Sequence, residues 1–249
     1  MKYQSLSVVC LVAIALLLWV VNPGTAVAAT VPIAPTETLY QQYPTASPDG
    51  IGKIYMGREI AQVMGHRGAG WLVRSQRERE EQPSQIAAAL NLQPTDAIAD
   101  IGAGTGYISF LLAPFVSQGE ILAVDVQPEM LQLLQQLAKK QHITNVQPVL
   151  GTVKSPNLPA ASIDLAIMVD AYHEFEFPRE MMQSIVQALK PFGRVVLVEY
   201  RGENPFIAIK RLHKMTQKQV RTEMAAVGLQ WLETNETLPK QHILIFQKT

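Results

Sequence analysis

The stretch Asp100-Ile101-Gly102-Ala103-Gly104-Thr105-Gly106-Tyr107 sets three glycines at alternate positions behind a carboxylate. Glycine lets the backbone turn tightly and lets a ligand approach the main chain. The N–H groups that open a following helix would then face that ligand. A second carboxylate, Asp125, comes 23 positions after Gly102. At the end of a neighbouring strand it can accept both hydroxyls of a ribose through charge-assisted bonds. The spacing argues against a pyrophosphate loop of the form G-x-G-x-x-G, which from Gly102 needs a glycine where Tyr107 stands. Farther on, Asp170-Ala171-Tyr172-His173-Glu174 gathers groups suited to proton transfer. His173 titrates in the range a general base needs. Tyr172 can pack or hydrogen-bond beside it. Asp170, His173 and Glu174 offer an alternative divalent-ion set, but no H-E-x-x-H spacing supports it, so no metal is expected.

These groups need a scaffold, and the apolar pattern supplies one. Short apolar strands are expected at 97–101, 121–126, 146–150, 163–169, 194–200, 229–233 and 242–247. Helices are expected between them at 107–115, 128–141, 178–190 and 216–227, the last stopped by Gly228. Near-continuous apolar strands alternating with helices indicate an α/β sheet covered on both faces. Ligands of such sheets sit beyond the C-terminal strand ends, where the glycine loop and both acidic clusters fall. Upstream, helices are expected over 54–64 and 71–81, joined by the glycine-rich loop 65–70. The charged run from Arg74 to Glu81 suits a solvated face. His213, among Lys210, Arg211 and Lys214, suits a solvated basic face.

The whole chain has 249 residues, 21 basic and 21 acidic. That balance disfavours a dedicated nucleic-acid binder, which usually carries a basic surplus. The charge is unevenly placed. Leu6 to Val21 is uncharged and follows Lys2, and Ala26-Val27-Ala28 fits an A-x-A cleavage site. The pattern predicts a secretory signal peptide over 1–28 and an exported protein. Export would send the domain to the periplasm, a lumen or the outside. The alternative is an uncleaved anchor over 6–21, the one membrane contact expected. Sixteen residues are short of the roughly 20 a spanning helix needs. The single cysteine, Cys10, excludes an intramolecular disulfide and a cysteine-built zinc site. Residues 29–52, with Pro32, Pro35, Pro44 and Pro48, suit an extended arm. A helical lid over 53–94 and a catalytic domain over 95–249 complete the expected order.

The form D-x-G-x-G-x-G, with Asp125 after it, resembles motif one of the class I S-adenosylmethionine-dependent methyltransferases. Leu189-Lys190-Pro191-Phe192-Gly193 and the strand to Glu199 look like that family's approach to its fifth strand, with Phe192 replacing a glycine. Leu158-Pro159 and the run to Ile163-Asp164-Leu165 look like its approach to the fourth. The resemblance covers about residues 54 to 249. It implies a Rossmann-like, doubly wound α/β sheet of seven mostly parallel strands, the last antiparallel, with helices on both faces. It implies S-adenosyl-L-methionine as cofactor. Gly102, Gly104, Gly106 and Asp170 would bind it, Asp100 would sit near its amino group, and Asp125 would accept from its ribose. Thr152 and the Val153 main-chain N–H would meet adenine, where relatives carry an acidic residue. Tyr172-His173 resembles a Tyr-His pair of several small-molecule methyltransferases. Methyl transfer to a small or lipid-like acceptor follows, with His173 and Tyr172 at the reaction centre and Tyr55, Arg58 and His66 on the lid.

Two other classes compete. A non-enzymatic nucleoside-binding module on the same fold would account for export away from the cofactor's source. A nicotinamide-dependent reductase is disfavoured by the glycine spacing and by the absence of any Y-x-x-x-K signature.

Overall fold

A computed structural model describes residues 39–249. The first 38 residues, with the expected signal segment and the start of the expected arm (29–38), lie outside the described residues.

The described chain opens with a small antiparallel sheet, β1 (Tyr40–Gln42), β2 (Gly50–Tyr55) and β3 (Arg58–Ala61). The expected helix over 54–64 is therefore a hairpin. Met56 and Gly57 join β2 to β3 with φ of 46° and 89°. Two residues with positive φ match the twist of the strands they connect, and glycine takes the second at no steric cost. Part of the expected arm is likewise strand. Three short helices follow, α1 (Ala69–Leu72), α2 (Arg77–Glu81) and α3 (Ser84–Ala89).

The main sheet and its helices then alternate. They are β4 (Ala97–Ile101), α4 (Tyr107–Leu112), β5 (Glu120–Asp125), α5 (Pro128–Lys140), β6 (Val146–Leu150) and β7 (Ile163–Val169). Next come α6 (Pro178–Ala188), β8 (Leu189–Tyr200), α7 (Gln217–Ala225), β9 (Leu229–Asn235) and β10 (Gln241–Lys248). Local chemistry marks the helix ends. Pro128 and Pro178 occupy first helical positions, where a missing N–H costs nothing. The Thr216 hydroxyl accepts the Gln219 N–H at 3.1 Å and caps α7. Gly228, at φ 81°, ends it.

The seven strands are ordered β6-β5-β4-β7-β8-β10-β9. β4 to β8 pair in parallel, and β10 runs antiparallel between β8 and β9. This is the expected Rossmann-like doubly wound sheet, with the last strand antiparallel. Period-2 alternation divides the core. Leu165 and Ile167 face one apolar layer with Ile86, Leu112 and Leu134, while Ala166 and Met168 face the other with Met182, Ile185 and Met224. Fully burying one such side chain stabilises the fold by about 1.5–3 kcal/mol. Strand order reverses at β4, so the crevice beyond the ends of β4, β5 and β7 is the expected ligand position. Among the described residues no helix is long and apolar enough to cross a membrane.

Candidate active site

A cavity of about 830 Å³ opens at that crevice, within the usual range for small-ligand sites. Its floor is the glycine loop. Gly102 N–H and Ala103 N–H both donate to the Val124 carbonyl, at 2.8 and 3.0 Å, which turns the chain sharply off β4. Gly102 and Gly104 line the cavity, with φ of 78° and 55°. A Cβ on Gly102 would lie 2.7 Å from the Ala171 Cβ, and one on Gly104 2.6 Å from a Leu72 methyl. Gly106 does not line the cavity. A Cβ there would meet Phe110 and Leu134 at 2.8 and 2.9 Å, so this glycine serves close helix packing.

Asp125 lies at the cavity wall. Its Oδ2 accepts the Gly104 N–H at 2.9 Å and its Oδ1 the Gln127 N–H at 2.8 Å. A carboxylate has about four acceptor positions, so these two bonds orient it and leave two free. Burial pushes its pKa up, against the main-chain N–H groups that pull it down.

Asp100 stands elsewhere than expected. It is buried beneath the loop, accepts the Ser109 hydroxyl at 2.6 Å and does not line the cavity. Burial pushes its pKa up to about 6. Thr152 is also turned away. Its hydroxyl accepts the Lys154 and Ser155 N–H groups at 3.2 and 3.0 Å, a local turn that keeps it off the wall, whereas Val153 lines the cavity. Asp170 does line it, at φ 51°, gripped by Gln241 Nε2 at 3.0 and 2.8 Å. Burial and then the nearby Glu199 and Glu81 push its pKa up to about 7.

Beyond β7 the chain makes a 3₁₀ turn, Tyr172–Glu174. Glu199, from β8 and 0% exposed, organises it. Its Oε1 accepts the Tyr172 N–H at 3.1 Å, and its Oε2 lies 2.6 Å from His173 Nδ1. With the proton on Nδ1, His173 Nε2 keeps its lone pair. Burial lowers the His173 pKa, but Glu199 and its hydrogen bond outweigh that and raise it overall.

Tyr172 does not reach the cavity. Its hydroxyl donates to Glu223 Oε2 at 2.6 Å in the packing between the hairpin and α7. Arg58 joins the same buried group, with Nε and Nη2 at 2.7 and 3.1 Å from the Glu223 carboxylate and Nη1 donating to the His173 carbonyl at 3.1 Å. Tyr55, Arg58 and His66 are absent from the cavity wall, where Lys53, Met64, Trp71 and Leu72 stand instead.

Ser75, Gln76, Glu78 and Arg79 of the charged run 74–81 are exposed as expected, but Arg77 and Glu81 do not lie on a solvated face. Arg77 is 4% and Glu81 2% exposed, and they pair at 3.0 Å. Arg77 also holds the Leu72 carbonyl at 2.9 Å, and the Tyr200 hydroxyl donates to Glu81. Arg74 pairs with Glu81, yet its Nε is buried without a partner and the residue lines the cavity. His213 is not on a solvated face either, because its 3₁₀ turn, Arg211–His213, points it at His173. The sequence signal for this inward group was weak: strict pairing at Arg77 and Glu81, four apart, suits either a wet or a dry face.

A methyltransferase domain model matches residues 92–243. The chain belongs to the methyltransferase-domain family. An uncharacterized methyltransferase of Bacillus subtilis, YcgJ, is 32% identical over 111 residues, 44% of this chain and 43% of that one. The ubiquinone/menaquinone biosynthesis C-methyltransferase of Ectopseudomonas mendocina is 26% identical over 120 residues, 47% of each chain. The chain thus spans about half the length of the curated relatives it matches. A S-adenosylmethionine-dependent methyltransferase from Aquifex aeolicus has the same fold, with a TM-score of 0.71 and 18% identity, over 75% of this chain and 100% of that one.

The cofactor of this methyltransferase domain is S-adenosylmethionine, and the cavity fits it on three counts. The glycine wall is a cradle that side chains would fill. Asp125 keeps free acceptor positions for ribose hydroxyls. The unpartnered Arg74 Nε is a buried donor of the kind a carboxylate satisfies.

Proposed function

We propose that this protein transfers a methyl group from S-adenosylmethionine to a small or lipid-like acceptor. One observation carries the reading. A single cavity joins the Gly102–Gly104–Asp125 cradle to His173, whose ring is locked by a fully buried carboxylate. Bound in the cradle, the cofactor supplies an electrophilic sulfonium methyl. The chain's own residues do the rest. Gly102 and Gly104 leave room for it, Asp125 accepts from the ribose and Arg74 donates to the carboxylate. His173 Nε2 takes the proton of an acceptor hydroxyl, and Glu199 stabilises the imidazolium that results. Apolar walls such as Trp71, Leu72 and Phe175 exclude water and suit an acceptor with an apolar body. The quinone-pathway relative supports an acceptor of that class.

The reading extends to export. Residues 1–28, with Lys2, the apolar run and Ala26-Val27-Ala28, act as a cleaved address, so the mature chain begins at Ala29. Intact-mass measurement on protein recovered from the expressing cells checks this.

The decisive experiment is calorimetric titration with S-adenosylmethionine. Binding is expected in the micromolar range, since Michaelis constants commonly lie at about 1 μM–1 mM. No heat at millimolar cofactor sinks the proposal. Asp125→Ala is expected to lose that binding. His173→Ala is expected to retain it and to lose about 10²–10⁴-fold in turnover, measured with methyl-labelled cofactor against a panel of phenols and quinols. Normal turnover in that variant would refute the assignment of His173.

A further inference from the structure

Where the turn after β7 borders the cavity, three donor atoms from two turns converge. His173 and Glu174 lie on the turn after β7, and His213 on the turn before α7. His173 Nε2 and His213 Nδ1 are 3.1 Å apart, His213 Nδ1 and Glu174 Oε1 3.4 Å, and His173 Nε2 and Glu174 Oε1 3.9 Å. Ligand bonds of about 2.0–2.1 Å at a tetrahedral ion place neighbouring donors about 3.3–3.4 Å apart. The three separations bracket that edge length, so one ion can sit among them after shifts of a few tenths of an ångström.

Each ligand is also held from behind. Glu199 Oε2 fixes the His173 ring through Nδ1 and so aims the Nε2 lone pair at the other two donors. Glu174 Oε2 accepts the Met64 N–H at 3.2 Å, which turns Oε1 toward the imidazoles. Arg58 anchors the His173 carbonyl, and the His213 N–H donates to the Lys210 carbonyl at 3.0 Å. A carboxylate behind a histidine is the outer arrangement that metal-binding imidazoles characteristically have. A hydrogen bond between the rings accounts for the 3.1 Å contact alone.

We propose that His173, Glu174 and His213 bind one divalent transition-metal ion of the zinc type. Two imidazoles and one carboxylate suit zinc or a similar borderline ion and do not suit magnesium or calcium, which require oxygen donors. Three protein ligands leave a fourth position, and all three residues border the cavity, so that position faces it. An acceptor oxygen bound there would be acidified by the ion. In the metal-free protein the same Nε2 lone pair remains the proton acceptor described above. The proposal stands independently of methyl transfer.

The test uses the full, tag-free chain, stripped with chelator and dialysed. Titration with zinc chloride by calorimetry is expected to show one ion per chain. Titration with cobalt chloride is expected to produce the intense visible bands of a tetrahedral ion with nitrogen and oxygen donors. His213→Ala is expected to weaken zinc binding by about 100-fold or more, and Glu174→Gln by about 10–100-fold. His142→Ala, on an exposed turn, is the control expected to bind as the parent does. Cofactor binding measured on the metal-free protein is expected to persist in all three, which separates this site from the cradle. No zinc uptake by the parent protein, or parental affinity in His213→Ala, overturns the proposal.

Discussion

Replacing Glu223 by alanine removes the carboxylate that serves Arg58 and Tyr172 together. Four bonds meet there: two from Arg58 at 2.7 and 3.1 Å, one from the Tyr172 hydroxyl at 2.6 Å and one from Gln219 Nε2 at 2.7 Å. Glu223 is 0% and the Arg58 side chain 13% exposed, so water cannot replace the lost partner. Breaking a buried pair from one side costs about 3–5 kcal/mol, because the remaining charge stays desolvated. Domains are stable by only about 5–15 kcal/mol. For about 200 residues each kcal/mol shifts the melting temperature by roughly 2–4 °C, which gives a fall of about 6–20 °C. Urea unfolding followed by far-ultraviolet circular dichroism measures the free energy directly. Arg58→Met/Tyr172→Phe/Glu223→Leu, which removes the three coupled polar side chains at once and leaves Gln219 its bond to the Met56 carbonyl, is expected to recover to within about 1–2 kcal/mol of the parent. Cofactor affinity is expected to change by less than about threefold in both, since the cradle lies on β4 and β5. A loss below about 1 kcal/mol in Glu223→Ala, or a triple variant no better than the single one, would refute the desolvation argument.

Asp100 makes stability pH-dependent in the opposite sense to an ordinary ion-paired carboxylate. Its folded pKa, about 6, lies above the usual 3.8, so the folded state holds the proton more tightly. Its contribution is therefore present below about pH 4 and is lost as pH rises through 6. Asp100→Asn is expected to stabilise the protein on the order of 2–3 kcal/mol at pH 7.5 and negligibly at pH 4, by denaturant unfolding at both values; equal effects at the two values would contradict this. Phe192 sits at φ 61° and is 73% exposed. Left-handed geometry costs a side chain about 1–2 kcal/mol, so Phe192→Gly is expected to raise stability by about 1 kcal/mol. A lowered midpoint in the same assay would show that the phenyl ring makes contacts that outweigh the strain.

The parts of the fold written in local pattern were legible. Val146–Leu150 and Ile163–Val169 occupy the expected bounds, because a buried strand is a short apolar run ended by turn residues. Gly102, Gly104 and Asp125 were legible for a related reason: their spacing encodes a turn between one strand and the next. The hairpin was missed although Gly50-Ile51-Gly52-Lys53-Ile54-Tyr55 carries weak alternation and Met56-Gly57 is a fair two-residue turn. Its apolar residues also fit a helical spacing over so short a run. Partnerships were not legible at all. Nothing near Glu199 or Glu223 in sequence announces a histidine 26 or a tyrosine 51 residues away. The Tyr172-His173 pair therefore suggests a tyrosine at the reaction centre, whereas its hydroxyl is committed to Glu223. Arg77 and Glu81 misled in the same manner, since an ion pair reads alike on a wet face and in a dry interior.

β10 has a consequence for the timing of folding. It is the last strand in sequence, yet it lies inside the sheet, so β8 and β9 keep bare edges until it docks. Its first residue, Gln241, then grips Asp170 at the cavity wall. Docking of β10 therefore both closes the sheet and completes the Asp170 part of the cavity wall. A chain in which β10 has not docked exposes two strand edges to edge-to-edge pairing and lacks the Gln241 grip on Asp170. Any molecule that binds the finished cavity selects, by mass action, chains whose last strand is home.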